Sequence, residues 1–220
     1  MLKNISHSET LADRAYREIK RAIIQSKFLP GEPLPEETIA SMLGISRTPL
    51  RNAITRLALD GLVEIEKGKI ARVAVITEKD CKDFLKLRQV LEVLSAKEAV
   101  PYVTEDFIKT LEEMMVKQKE AIADQDFYRY IELDVLFHEA IARHTQNQKL
   151  LNFIQQINNQ LHRYLILSGT LEDSVDEANL EHVEIIKAFK IGDANKAGET
   201  MQKHIENVEK RMRLIKGELL

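Results

Sequence analysis

The sequence predicts a mainly α-helical protein of two domains: a small N-terminal domain of three helices and a hairpin, followed by a six-helix antiparallel bundle. Apolar residues recur at helical spacing along most of the 220 residues, and most of the 8 Gly and 5 Pro fall between those segments. Residues 1–76 carry 12 Lys and Arg against 9 Asp and Glu, whereas residues 77–220 carry 20 against 26. Only the first domain is net basic, as expected of a part that approaches a polyanion.

The N-terminal domain, residues 1–76, begins with three predicted helices. A polar cap, a Pro in the first turn or a Gly after the end marks each boundary. These boundary residues are Thr10, Pro30, Gly31, Pro35, Gly44, Ser46, Pro49 and Gly61. In the third helix Leu50, Ile54 and Leu57 share one side, and the adjoining side is basic and rich in hydroxyl groups. A short helix, a Gly turn and a basic second helix meet the requirements for docking in the major groove of DNA.

A basic hairpin is predicted after the third helix. Residues 63–66 alternate between apolar and acidic, Lys67-Gly68-Lys69 forms a turn, and residues 70–75 form the return strand. Glycine lets the backbone approach a minor groove, and lysines meet phosphates. The domain is therefore predicted to be a winged helix-turn-helix that binds DNA.

The motif Gly-Ile-Ser-Arg-Thr-Pro-Leu-Arg at residues 44–51, with Leu-Pro-Gly before it and Gly-Leu-Val after it, resembles the winged helix-turn-helix of GntR-family transcription regulators. Many members carry an arginine in the first turn of the second helix, where this chain has Glu36-Glu37-Thr38. The alternative for the arginines is an ordinary solvated helix face, which the ordered series of elements disfavours. The contacts to bases, phosphates or the minor groove that the resemblance implies are Ser46, Arg47, Thr48, Arg51, Lys67 and Gly68.

Residues 77–220 are predicted to form six antiparallel helices with short connections. Thr77 opens the first with a capping box, and Pro101 follows its end. The later helices begin near Thr104, Asp126, Asn147, Asp173 and Asp193, the fourth helix extending to about Leu171. No apolar run is long enough for a membrane span, no secretory signal pattern is present, and a single Cys fits a reducing compartment, so we expect a cytoplasmic protein.

Four potential metal ligands fall on three helices of this bundle. Asp134 and His138 are four residues apart and share a face, while His182 and His204 each lie in an inward apolar stripe. A carboxylate and three imidazoles suit a divalent ion. Four ligands would close a tetrahedral site, whereas an octahedral ion would keep two positions for water or an organic acid. Each residue alone is more commonly a packed core residue or part of a helix pair.

The same residues, with Arg88, Leu91 and Glu92, resemble the FCD ligand-binding domain of the FadR subfamily, and the helix count resembles its VanR-like branch. The resemblance implies a divalent metal at the Asp and three histidines, with zinc first and nickel or manganese as alternatives. It also implies a small carboxylate effector and a homodimer on a pseudo-palindromic operator. Arg88 is predicted either to anchor the effector or to form a structural ion pair with Glu92.

The predicted function is a ligand-responsive, DNA-binding transcription regulator that is not an enzyme. A metal-dependent hydrolase is disfavoured because no further general base or nucleophile motif accompanies the ligands, and the DNA-binding domain would be unexplained. A bundle that serves only as a dimerisation scaffold, with structural histidines, is the other alternative.

Overall fold

A computed structural model describes residues 9–168 and 175–212 of the chain. Within these ranges the residues form two compact units that divide between Val75 and Ile76. The first unit contains α1 (Leu11–Ile24), α2 (Glu36–Leu43), α3 (Arg47–Leu59), β1 (Val63–Glu64) and β2 (Arg72–Val73). The second contains α4 (Glu78–Ala99), a 3₁₀ turn (Val100–Tyr102), α5 (Glu105–Ala123), α6 (Phe127–His144), α7 (Gln148–Ser168), α8 (Val175–Ile191) and α9 (Ala194–Arg211). The mainly α-helical prediction is confirmed.

The N-terminal unit is organised around α3, which packs against both α1 and α2. Thr10 and Asp13 form a capping box that starts α1. Gly44 has a φ of +64°, the left-handed conformation that turns the chain sharply from α2 into α3. The predicted stripe of α3, Leu50, Ile54 and Leu57, is buried. The opposite face of α3 is therefore left for solvent or a partner.

Three local details of this unit differ from the sequence prediction. Pro35 is the residue before α2 and not part of its first turn, and Ser46 precedes α3 without a capping hydrogen bond from its side chain. The return strand is only Arg72–Val73. Pairing is confined to the base of the hairpin, where Val63 lies opposite Val73 and both are buried. Farther along the hairpin the apolar side chains of Ile65 and Ile70 are exposed. The apolar–polar alternation of the sequence therefore continues past the point where the strands have a core to pack on.

The predicted N-cap residues of five helices in the helical unit form capping hydrogen bonds. Thr77 and Asp80 form a capping box at α4, and Asn147 accepts the Leu150 N–H at the start of α7. Thr104, Asp126 and Asp193 likewise accept backbone N–H groups. The predicted end of α7 at Leu171 and the start of α8 at Asp173 lie outside the described residues. Among those described, no helix is long and apolar enough to cross a membrane.

α4 is the central helix of this unit and packs against α6, α7 and α9. Most of the core is apolar, with Leu111, Phe137, Ile185 and Met201 fully buried. Polar residues nevertheless enter the same interior from all six of the helices described for this unit. These buried polar residues include Arg88, Glu92, His138, His162, His182 and His204. Burying such groups without partners is costly, so their surroundings indicate the functional site.

Candidate metal centre and DNA-binding surface

The predicted DNA contacts of α3 lie together on its exposed side. Ser46, Arg47, Thr48 and Arg51 are all exposed, and the neighbouring Asn52 and Thr55 extend the same polar surface. Because the other side of α3 forms the core, this surface is held rigidly by the packing behind it.

The hairpin presents the other two predicted contacts. Lys67 and Gly68 are exposed at its tip, where the Lys69 N–H donates to the Glu66 carbonyl at 3.1 Å and closes the turn. Gly68 has a φ of +80°, a conformation that glycine adopts without steric cost. Lys69 is paired with Glu66 at 2.6 Å, which leaves Lys67 as the more available cation of the tip.

Acidic residues of α2 pair with two of the three arginines of α3. Arg51 Nε donates to the two carboxylate oxygens of Glu36, each at 2.8 Å. Arg47 lies 3.2 Å from a carboxylate oxygen of Glu37. Glu36 and Glu37 lie in the first turn of α2, where many members of the family that the motif resembles carry an arginine. Because this chain has acids there, two arginines of the predicted DNA-binding surface are paired with carboxylates.

Three histidines converge in the helical unit: His138 from α6, His182 from α8 and His204 from α9. Each offers one ring nitrogen, and these nitrogens lie within 4.8 Å of one another. The ring centroids are 4.7–5.2 Å apart. All three side chains are fully buried. This cluster could hold a metal ion.

An oxygen lies against the Nδ1 atom of each of these rings. Gln118 Oε1 is 3.1 Å from His182 Nδ1, and Glu181 Oε2 is 2.8 Å from His204 Nδ1. Glu92 Oε2 lies 2.5 Å from His138 Nδ1, a close contact without hydrogen-bond alignment. An oxygen acceptor at Nδ1 favours the tautomer protonated there, which leaves a lone pair on Nε2.

The Nε2 atoms of all three histidines are buried and have no hydrogen-bond partner in the described parts of the chain. Burial lowers the pKa of His182 well below its ordinary value, and it lowers that of His204 despite the opposing hydrogen bond to Glu181. The imidazoles of His182 and His204 are therefore neutral, the state in which they coordinate metals. Three converging buried nitrogens of this kind form a donor set that could hold a metal ion.

Asp134, the fourth predicted ligand, lies at the edge of this cluster. Its Oδ1 is 3.3 Å from His182 Nε2 and 3.8 Å from His138 Nε2. Its Oδ2 is 3.9 Å from both His162 and Arg88. The four predicted ligands are thus brought to one place, with three histidines close together and the carboxylate beside them.

The structure shows one of the two predicted roles of Arg88, the ion pair with Glu92. Its Nε donates to Glu92 at 2.8 Å, so the buried ion pair exists. Its NH2 nitrogen has no hydrogen-bond partner within the described ranges. Burial raises the pKa of Glu92, but the neighbouring Arg88, through its charge and its hydrogen bond, is foremost in holding that pKa below its ordinary value.

A small cavity adjoins the histidine cluster. Its space is about 30 Å³, room for little more than one water-sized group. Its polar lining comprises Arg88, Tyr130, Asp134, His162, His204 and Arg211. His162, whose orientation the sequence leaves open, faces this cavity, and burial lowers its pKa to about 3. The histidine cluster and this small cavity therefore share His204 and the adjacent Asp134 as walls.

Sequence reasoning missed two residues that hold the histidine rings, Gln118 and Glu181. Gln118 is fully buried in line with Leu111 and Met115 on α5, and a polar residue in an apolar stripe is a signal that could have found it. The carboxylate of Glu181 accepts hydrogen bonds from both terminal nitrogens of Arg211 and also lies against the Nδ1 of His204. The sequence carries no local sign of that role.

Comparisons with known proteins find a separate family match in each of the two units. Residues 11–73 match the model for bacterial regulatory proteins of the gntR family, and residues 83–207 match the FCD domain. The Uxu operon transcriptional regulator of Escherichia coli K12 is 32% identical, covering 93% of this chain and 89% of that protein. The transcriptional repressor RspR of the same strain is 24% identical, covering 97% and 94%.

Solved structures share the fold. E. coli McbR/YncC aligns with a TM-score of 0.82 at 20% identity, covering 93% of this chain and 98% of that one. A GntR regulator from Rhodococcus sp. RHA1 aligns with a TM-score of 0.79 at 23% identity, covering 91% and 96%.

We expect Glu181→Ala to weaken zinc binding by roughly 10- to 100-fold, because His204 loses the oxygen that fixes its ring. The measurement is zinc titration of metal-free protein against a competing chelator. Glu184→Ala is the matched control, since Glu184 is an exposed glutamate on the same helix that pairs with Lys187. Equal zinc affinity of the two folded variants would contradict the role of Glu181.

Proposed function

The chain belongs to the GntR family of bacterial regulatory proteins and carries an FCD domain, and we propose that a small carboxylate bound at a divalent metal ion in that domain controls its affinity for operator DNA. It is a DNA-binding transcription regulator and not an enzyme. The observation that supports metal control is the convergence of three buried Nε2 atoms whose Nδ1 atoms already face protein oxygens.

We propose that His138, His182, His204 and Asp134 hold the ion. The donor set of nitrogen and carboxylate oxygen suits zinc best, with nickel or manganese as alternatives. When bound, the ion supplies a Lewis-acidic point for an oxygen of the effector. Glu92, Gln118 and Glu181 orient the rings, so the protein fixes the donors before the ion arrives.

Charge balance favours an anionic effector. The site contains two guanidinium cations, Arg88 and Arg211, and three carboxylates, Glu92, Asp134 and Glu181, while imidazoles that coordinate a metal are neutral. The formal charge of these groups is therefore about −1, and a divalent ion changes it to about +1. A single carboxylate would restore neutrality inside the buried site. The NH2 nitrogen of Arg88, which makes no hydrogen bond within the described ranges, offers it a second donor beside the same cavity.

We propose that α3 enters the major groove of DNA and that the hairpin tip contacts the minor groove. Ser46, Arg47, Thr48 and Arg51 would face bases and phosphates, and Lys67 and Gly68 the minor groove. The operator DNA of a bacterium lies in the cytoplasm, so we place the protein there. The relative RspR is named a repressor, which supports repression as the mode of action.

We also propose that the protein acts as a homodimer through α4. Leu87, Val90 and Leu94 are 41–67% exposed and share one face of that helix. Such a stripe on a helix whose other faces are packed marks a contact surface. A two-fold dimer places two α3 helices on the half-sites of a pseudo-palindrome, and effector binding would shift the population of spacings that fit them.

Replacing Arg51 by Ala should abolish specific DNA binding, because a bidentate arginine contributes about 1–3 kcal/mol of base discrimination per half-site. The probe is a duplex selected from a random library by the wild-type protein, and the readout is an electrophoretic mobility shift. Lys187→Ala removes an exposed charge from the helical unit and serves as control. Specific binding by a folded Arg51→Ala protein would disprove docking by α3.

Alanine at His138 or His204 should remove most of the metal from protein purified without an affinity tag, as measured by elemental analysis. The response of DNA binding to a panel of small carboxylates should disappear with it. His144→Ala is the control, because that ring stacks on Phe107 outside the cluster. Full metal content in both site variants would favour the alternative of a dimerisation scaffold with structural histidines.

Charge on the exposed face of α4 should break the dimer. We expect Val90→Glu to give a monomer in analytical ultracentrifugation with unchanged metal content, since Val90 is 67% exposed at the centre of the stripe. Val116→Glu provides the comparison, because Val116 is a similarly exposed valine on α5. A dimeric Val90→Glu protein would place the interface elsewhere.

A further inference from the structure

The arginine that the motif assigns to base contact is held from one side by Glu36. Both oxygens of this carboxylate accept from Arg51 Nε at 2.8 Å. The neighbouring pair differs, since Arg47 approaches Glu37 through a terminal nitrogen at 3.2 Å. The Glu36 side chain is 34% exposed, whereas that of Glu37 is 85% exposed. Glu36 is thus seated against the recognition helix, while Glu37 stands in solvent.

The geometry of the Glu36–Arg51 pair leaves one edge of the guanidinium open. Nε is occupied, and the two terminal nitrogens of Arg51 have no partner among residues 9–168 and 175–212. Two terminal N–H groups side by side are what a bidentate contact with the O6 and N7 atoms of guanine needs. Glu36 therefore occupies the edge not used for end-on base reading.

The carboxylate of Glu36 is also fixed in its charged form. It lies in the first turn of α2, where the helix dipole favours a negative charge. The hydrogen bond from Arg51 lowers the pKa of Glu36 further. A fixed anion next to the DNA-facing surface repels phosphates, and this repulsion is the same for every DNA sequence.

We propose that Glu36 is a positioning residue for sequence readout: it holds Arg51 with its terminal edge toward the bases and disfavours binding through phosphates alone. The inference rests on the proposed function, in which α3 enters the major groove. Two effects follow from one side chain. Pre-ordering Arg51 strengthens binding to the correct sequence, and the negative charge weakens binding to all others.

The test compares full-length wild-type protein with Glu36→Gln, Glu36→Asp and Glu37→Gln. The probes are the duplex selected from a random library by the wild-type protein and a scrambled duplex of the same length, at one fixed salt concentration. The quantity measured is the ratio of the two affinities, because salt and net charge affect both duplexes. The control Glu37→Gln makes the same charge change as Glu36→Gln at the exposed neighbouring pair.

We expect the affinity ratio to fall about tenfold in Glu36→Gln, within the range of one bidentate base contact, and tighter binding of the scrambled duplex. Glu37→Gln should strengthen binding to both duplexes alike and keep the ratio. Glu36→Asp keeps the charge but shortens the side chain, so it should lower the ratio without tightening binding to the scrambled duplex. Selection from the random library with Glu36→Gln should relax the preference at one base pair of each half-site.

Equal ratios for Glu36→Gln and Glu37→Gln would overturn the inference, because only charge would then matter. A wild-type ratio in Glu36→Asp would overturn the positioning role in the same way. Specific binding by Arg51→Ala identifies a different failure, that of the proposed docking of α3. The two failures are distinguishable, since the Glu36 variants are informative only where Arg51→Ala abolishes specific binding.

Discussion

Three histidine side chains, each with a buried Nε2 atom, meet inside the helical unit, and most of its helices contribute a side chain that contacts or carries one of these rings. Each ring is held at Nδ1 by a side chain from another helix, so α4, α5, α6, α8 and α9 all contribute to one centre. Bare Nε2 atoms in an apolar interior cost free energy, and the same atoms around a divalent ion become its ligands. Under the proposed function, the unfavourable burial of these atoms in the metal-free bundle is offset when they coordinate an ion.

In both units a glutamate orients an arginine by accepting a hydrogen bond from its Nε. In the helical unit Glu92 accepts from Arg88 Nε at 2.8 Å, and in the N-terminal unit Glu36 accepts from Arg51 Nε at the same distance. In each case terminal nitrogens remain open toward the place where a ligand would lie. The settings differ in strength: the first pair is fully buried, and the second is surrounded by water and screened by salt. The buried pair therefore holds Arg88 in one orientation, whereas the exposed pair holds Arg51 more weakly and depends on the salt concentration.

The extent to which sequence predicted this molecule depends on how local each feature is. Helix caps such as the Thr77–Asp80 box, and the shared face of Asp134 and His138, depend on residues within one turn, so periodicity and capping rules identify them. The inward apolar stripes of their helices made His182 and His204 candidate ligands, and the family resemblance added support for them. Gln118 could not be assigned as the partner of His182 because the two are 64 residues apart and meet only through helix packing. The return strand was overestimated because alternation does not reveal where the packing surface ends.

α4 connects these separate features along the chain. It begins at Glu78, just after the N-terminal unit ends at Val75, and farther along it carries both Arg88 and Glu92. Glu92 touches His138 and Arg88 lies 3.9 Å from Asp134, so any ion or anion that changes the charge of the centre acts first on side chains of this helix. The same helix presents the exposed apolar stripe of Leu87, Val90 and Leu94. One helix thus carries Arg88, Glu92 and the exposed apolar stripe and follows the N-terminal unit directly in the chain, so under the proposed function it is the first element through which a change at the centre would be coupled to DNA binding.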